Sequence, residues 1–146
     1  MITDKADKIN KIIMKYTKKL LILGFHSANL ILIILYLYPA SIFGCFLYND
    51  CSIELQITSD FIITSNYLIS SNHLYAFIML SLLGVFAYPS SNKFKLLIGY
   101  LFSLSIILEL FHLIISNREF EWGDFFGNIL GVIFVIIIYK VKNRYA

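Results

Sequence analysis

The chain has 146 residues, of which 59% are hydrophobic and 14% charged, with a formal net charge of +3 and a mean hydropathy of +0.78. That length leaves room for one domain, and that hydropathy excludes an ordinary soluble one, in which apolar residues make up about half. The positive charge flanks apolar runs without the aromatic and basic interleaving of a nucleic-acid surface, so no nucleic-acid partner is expected.

Residues 1–19 are the first predicted element. Ile9, Ile12, Ile13, Tyr16 and Leu20 recur at helical spacing with lysines on the other face, as in a helix lying on an anionic cytoplasmic surface. Asp4, Asp7, the absence of arginine and the lack of a small-residue cleavage site speak against a cleaved targeting peptide. A first span at 20–38 follows and is expected to be retained; its His26 and Asn29 share a face and read as packing or helix-bonding residues.

The outer loop at 39–71 carries Asp50, Glu54 and Asp60 and no Lys or Arg. Cys45 and Cys51 fall in it, where an oxidising compartment permits a disulfide; two free thiols are the alternative. Their spacing is not Cys-x-x-Cys, which argues against a thiol oxidoreductase. Ile53, Leu55 and Ile57 alternate with Glu54, Gln56 and Thr58, the period of a short strand or of a segment hugging the interface.

Three further spans are predicted at 72–88, 96–116 and 123–140, before a tail at 141–146. A helix needs about 20 residues to cross a hydrocarbon core of about 30 Å. The second and fourth runs approach that length with a turn of flanking uncharged residues. Lysines crowd the segment before Lys19, Lys93 and Lys95 stand between the second and third spans, and Lys140, Lys142 and Arg144 close the chain, whereas only Arg118 lies between the third and fourth. Because loops that stay in the cytoplasm hold the Lys/Arg excess, the expected fold is all-α: a four-transmembrane-helix bundle at 20–140 with both termini cytoplasmic. The expected location is the cell (inner or plasma) membrane, multi-pass, with membrane lipids as partners.

The stretch from Glu109 to Asn128 holds six of the chain's ionisable side chains. Glu109 lies roughly 10 Å below the outer end of the third span at 1.5 Å per residue, and a bare charge there costs at least about 2.5 kcal/mol. It must face the bundle, be paired, or be neutral. His112 is one turn away on the same face, and Ser105 and Ser116 extend the stripe. Asp124 opens the fourth span with Asn128 on the same face, and His73 stands at the mouth of the second span after the capping candidates Ser70, Ser71 and Asn72. Polar residues from three helices thus fall in the outer half of the membrane, where a pocket opens outward. Gly123, Gly127 and Gly131 repeat at every fourth position, a pattern that admits a close helix neighbour and marks a face for membrane-protein partners.

Glu109, Asp124 and His73 are the candidate catalytic residues, suited to general acid/base work. Arg118, His112 and Asn128 are candidate substrate-binding residues. Arg118 offers a planar fork to phosphate or carboxylate, or pairs with Glu119, Glu121 or Asp124 in its own loop. Asn128 alternatively bonds helix to helix, and Glu109, Arg118 and His73 alternatively form a buried network that fixes register. Trp122 reads as an interfacial anchor. Glu109-x-x-His112 has the spacing of di-iron carboxylate bundles, which need two such motifs and two further carboxylates; only one copy is present. A single zinc with His73 and Asp124 is the remaining metal reading, and the expectation is no metal and no cofactor. No P-loop, Gly-x-Ser-x-Gly elbow, His-Glu-x-x-His or dinucleotide fingerprint occurs.

Glu109 followed by Arg118, Phe120, Asp124, Asn128 and Gly131 resembles the second-half signature of the VanZ-like membrane proteins, a family named for a protein linked to teicoplanin resistance. The likeness runs from about Ser105 to Val132, and the span number and loop lengths fit. His73 matches the histidine that begins the family's second span, while Ile69 and Ser70 stand where the family has Asp-Lys, Phe77 where it has Tyr, and His112 where it has Gln. The resemblance implies a cell-envelope protein that binds or modifies an anionic lipid or lipid-linked precursor at the outer face, with an effect on glycopeptide sensitivity. A non-catalytic accessory subunit of a larger membrane complex, docked through the glycine face, is the second reading.

Overall fold

Both prolines of the chain, Pro39 and Pro89, stand just past a helix end, because proline excludes the helical conformation from the residue before it. The computed structural model describes residues 2–53, 61–64, 67–89 and 91–145. Within them are α1 (Ile2–Leu37), α2 (Ile42–Tyr48), β1 (Phe61–Thr64), β2 (Tyr67–Ile69), α3 (Ser71–Ala87), α4 (Ser91–Phe111) and α5 (Trp122–Tyr145).

Among the described residues three helices are long and apolar enough to cross a membrane, at Ile9–Leu37, Asn92–Phe111 and Trp122–Tyr145, whereas α3 is apolar but only 17 residues long. Helices suit this role because each satisfies its own backbone hydrogen bonds, which lipid cannot do. The lysine-rich segment and the first span form one unbroken helix of 36 residues, about 54 Å long. No helix-breaking residue separates them, so the helix runs on through residue 19.

Contacts fix the helix directions. Tyr36 near the end of α1 reaches His73 at the start of α3, and Phe25 meets Tyr88 beyond its end. The carbonyl of Ser105 on α4 receives the amide of Asn128 on α5, and Phe94 stacks on Tyr139. α1 and α4 therefore run one way and α3 and α5 the other. Phe25, Leu32, Phe77, Leu101, Leu108 and Val132 fill the centre, while Leu23, Ile34, Met79, Ile107, Phe134 and Ile138 face outward. Such an apolar exterior would be an aggregation liability in water and is what lipid requires. The chain is a multi-pass helical membrane protein.

The glycine ridge is filled from within the chain. A Cβ on Gly127 would lie 2.8 Å from the carbonyl of Ser70, and one on Gly131 2.7 Å from that of Leu74. α3 thus lies backbone to backbone against the face that the sequence offers to an outside partner. The amide of Ser70 also donates to the carbonyl of Gly123 (3.2 Å), which joins the starts of α3 and α5.

In the connection between α1 and α3, Ser41 caps α2 by accepting from the amide of Gly44, and Asn49 ends it in the left-handed conformation. Cys45 and Cys51 form a disulfide, which settles the alternative left open by the sequence. Gly44 packs against the backbone of Ile53 and Asp50, where a side chain has no space. Ser52 donates its amide and hydroxyl to Asp50, which holds that carboxyl below its ordinary range. β1 and β2 pair antiparallel, Phe61 opposite Ile69 and Ile62 opposite Leu68. The alternation predicted at residues 53–58 lies, beyond Ile53, outside the described residues.

Candidate functional site

The end of α1, the start of α3, the end of α4 and the start of α5 meet at one level of the bundle, and the polar residues of all four helices meet there. Glu109, on the last turn of α4, has no exposed surface. Its Oε1 accepts the backbone N–H of Glu121 (3.1 Å) and lies 3.4 Å from Nδ1 of His112. Its Oε2 is buried, has no hydrogen-bond partner, and faces Nδ1 of His73 at 4.0 Å. His73 also presents Nε2 to Asp124 Oδ2 at 3.3 Å. The imidazole thus meets two carboxylates, and the His73 and Asp124 side chains keep 18% and 17% of their surface open.

Tyr36 completes the cluster. Its hydroxyl donates to Asn128 Oδ1 (2.6 Å), which leaves the phenol oxygen to accept from Nδ1 of His73 (3.0 Å). Asn128 in turn donates to the carbonyl of Ser105 (3.4 Å), so three helices and one imidazole are joined in a chain of hydrogen bonds. His112, almost fully buried, holds the carbonyl of Tyr36 through Nε2 at 3.1 Å. Its ring lies roughly parallel to that of Tyr36, at 24°.

Arg118 crosses to the end of α1. Its Nε donates to the carbonyl of Tyr38 (3.1 Å) and its Nη2 to that of Ala40 (3.1 Å). A cation here compensates the negative end of the α1 dipole and holds two carbonyls of the chain just past that helix. These contacts join residues about eighty positions apart and carry no local signal.

A cavity of about 480 Å³ opens beside this cluster between α1, α2 and α3. Leu35, Ile42, Phe43, Leu47 and Ala76 are its apolar lining, and His73, His112 and Arg118 are among its polar lining. Glu109 and Asn128 lie behind that polar lining with no exposed surface. Of the six residues expected to form the site, then, all converge, and three line the cavity.

Tyr36 was not among the expected residues. A phenol one turn from the end of a span looks in sequence like one of the interfacial tyrosines that membrane helices commonly carry, and only its contacts distinguish it. His26 and Asn29 lie away from the cluster as expected, beside a second cavity lined by Phe25, Tyr88 and Tyr100; the His26 Nε2 and the Tyr88 hydroxyl are 2.8 Å apart. Comparison with known protein families, curated proteins and solved structures finds no match for this chain.

Proposed function

We propose that the chain is a four-span protein of the cell membrane that binds an anionic lipid or lipid-linked envelope precursor through the cavity beside His73. The cavity's mixed lining carries this reading. Its apolar side chains suit an acyl or isoprenoid chain, and a guanidinium with two imidazoles suits a phosphate or carboxylate headgroup. Its volume lies within the range of about 300–1,000 Å³ usual for small-molecule sites. Glu109 and Asp124 flank His73, so a proton exchanged with such a ligand passes through this partly open imidazole. The VanZ-like resemblance supports the reading because its residues gather at this level of the bundle. A disulfide in the loop over the cavity accords with the oxidising, outer side of the membrane.

The test is purification in a mild detergent, followed by mass spectrometry of the retained lipid. One anionic class enriched over the bulk membrane, and lost when Ala76→Phe fills the cavity, is expected. Retained lipid of bulk composition, or enrichment unchanged in the Ala76→Phe variant, counts against a lipid site. Teicoplanin susceptibility measured with and without the protein tests the VanZ-like part separately: a shift is expected, and its absence removes the resistance link while leaving lipid binding to stand.

A further inference from the structure

We propose that His73, Glu109 and Asp124 bind one divalent transition-metal ion at the inner wall of the outer cavity. One donor atom from each residue lies within 4.8 Å of the donors of the other two. Around zinc, nitrogen and oxygen ligands sit at about 2.0–2.2 Å. Closing the cluster onto an ion therefore takes a side-chain shift on the order of 1 Å, with no change of helix position. Convergence of the ligands, which sequence alone could not supply, is what now favours a metal over the expectation of none.

A separate observation points to a cation. Glu109 Oε2 is fully buried, has no hydrogen-bond partner and is directed at His73. A carboxylate oxygen in that position is costly unless something positive meets it. If both carboxylates are ionised, these three side chains taken together carry net negative charge whether the ring is neutral or protonated. A dication matches the two carboxylates and frees the ring to be a neutral ligand.

The surroundings have the form that metal sites use to hold their ligands. A ligating histidine usually gives its other ring N–H to a fixed acceptor. The Tyr36 hydroxyl, itself committed to Asn128, is such an acceptor for Nδ1, and Nε2 faces Asp124. The backbone N–H of Glu121 holds the second oxygen of Glu109. His112, whose Nε2 is occupied by the carbonyl of Tyr36, supports Glu109 and is not itself a ligand. Three protein ligands, of which His73 lines the cavity, leave a position for water or a bound ligand, as in catalytic zinc sites. One imidazole and two carboxylates select Zn²⁺, Mn²⁺ or Fe²⁺ over a soft copper ion or an all-oxygen calcium site. The inference stands whether or not a lipid fills the cavity.

The test uses untagged, full-length protein in detergent, stripped with a chelator, incubated with excess Zn²⁺ or Mn²⁺, desalted and assayed for metal. One ion per chain is expected. Asp124→Asn and His73→Gln should each weaken binding beyond the roughly 10–100-fold that loss of a supporting residue costs, while Glu119→Gln, an exposed acid of the neighbouring loop, leaves it unchanged. Folded protein that emerges without metal, or that binds equally with both ligands changed, overturns the proposal and leaves an ion-pair network only. Where a variant does not fold, the Co²⁺ form of the unaltered protein decides. Visible bands of a four- or five-coordinate ion that Zn²⁺ abolishes are expected, and the faint spectrum of a hydrated ion overturns it.

Discussion

Tyr36 connects three helices through one oxygen, donating to Asn128 on α5 and meeting His73 on α3. Interhelical hydrogen bonds in membranes average only about 0.6 kcal/mol, but removing one partner strands the other, which costs about 1–3 kcal/mol where the group is buried. Tyr36→Phe and Asn128→Leu should therefore each destabilise the bundle by about 1–3 kcal/mol. The double variant should cost less than the two losses added, by at least about 0.5 kcal/mol, because neither partner of the Tyr36–Asn128 bond is then left facing an empty place. Unfolding measured in detergent checks this, and strict additivity would show that the 2.6 Å contact carries no coupling. Glu109, His112, Asp124 and Asn128 were legible in the sequence because an ionisable or amide group at membrane depth stands out against its neighbours. Tyr36 was not legible, since a tyrosine belongs equally at the interface. The contacts of Arg118 with the chain past α1 were hidden for another reason: their acceptors are backbone carbonyls, which have no sequence identity to read.

Helix α3 is held by what α5 lacks. At Gly131 a Cβ would stand 2.7 Å from the Leu74 carbonyl and 2.9 Å from the Phe77 Cβ. Both are on or next to the backbone, so no rotamer change relieves the overlap and the helices must separate. Gly131→Ala should destabilise the bundle by about 1–3 kcal/mol, the usual cost of overpacking. Gly24 and Gly99 have no atom within 4 Å of a Cβ. Their alanine variants should be neutral or stabilise by up to about 1 kcal/mol, through helix propensity alone. Thermal melts of the three variants test the contrast, and an unharmed Gly131→Ala variant would falsify the packing of α3 on α5. The four-residue glycine spacing announced a close helix contact from the sequence. That the contact lies within the chain could not be read there, because small-residue patterns look alike whether the partner helix is internal or external.

For the molecule as a whole, the question is whether the 17-residue α3 crosses the membrane. From His73 on α3 to Tyr88 just past its end, and from Asp124 to Tyr139 on α5, the chain advances about 22 Å at 1.5 Å per residue, so α3 covers the same depth as the longer helix it lies along. At its start His73 meets the Tyr36 hydroxyl of α1; past its end Tyr88 packs on Phe25 of α1 and the Pro89 carbonyl accepts from the Tyr139 hydroxyl (3.1 Å), so both ends of α3 are tied to helices long enough to span. If α3 did not cross, α1 and α4 would traverse in opposite directions. His112 after α4 could then not reach the Tyr36 carbonyl near the end of α1, a contact of 3.1 Å. It would also put Lys140, Lys142 and Arg144 outside, against the positive-inside rule. A phosphatase reporter fused after Ser52 should thus be active, and one fused after Pro89 or after Ala146 inactive, with a fluorescent reporter giving the reverse pattern. Phosphatase activity at Ala146 would leave α3 on the surface and separate the helix ends that form the site, so the same measurement decides both the topology and the unity of the cluster around His73.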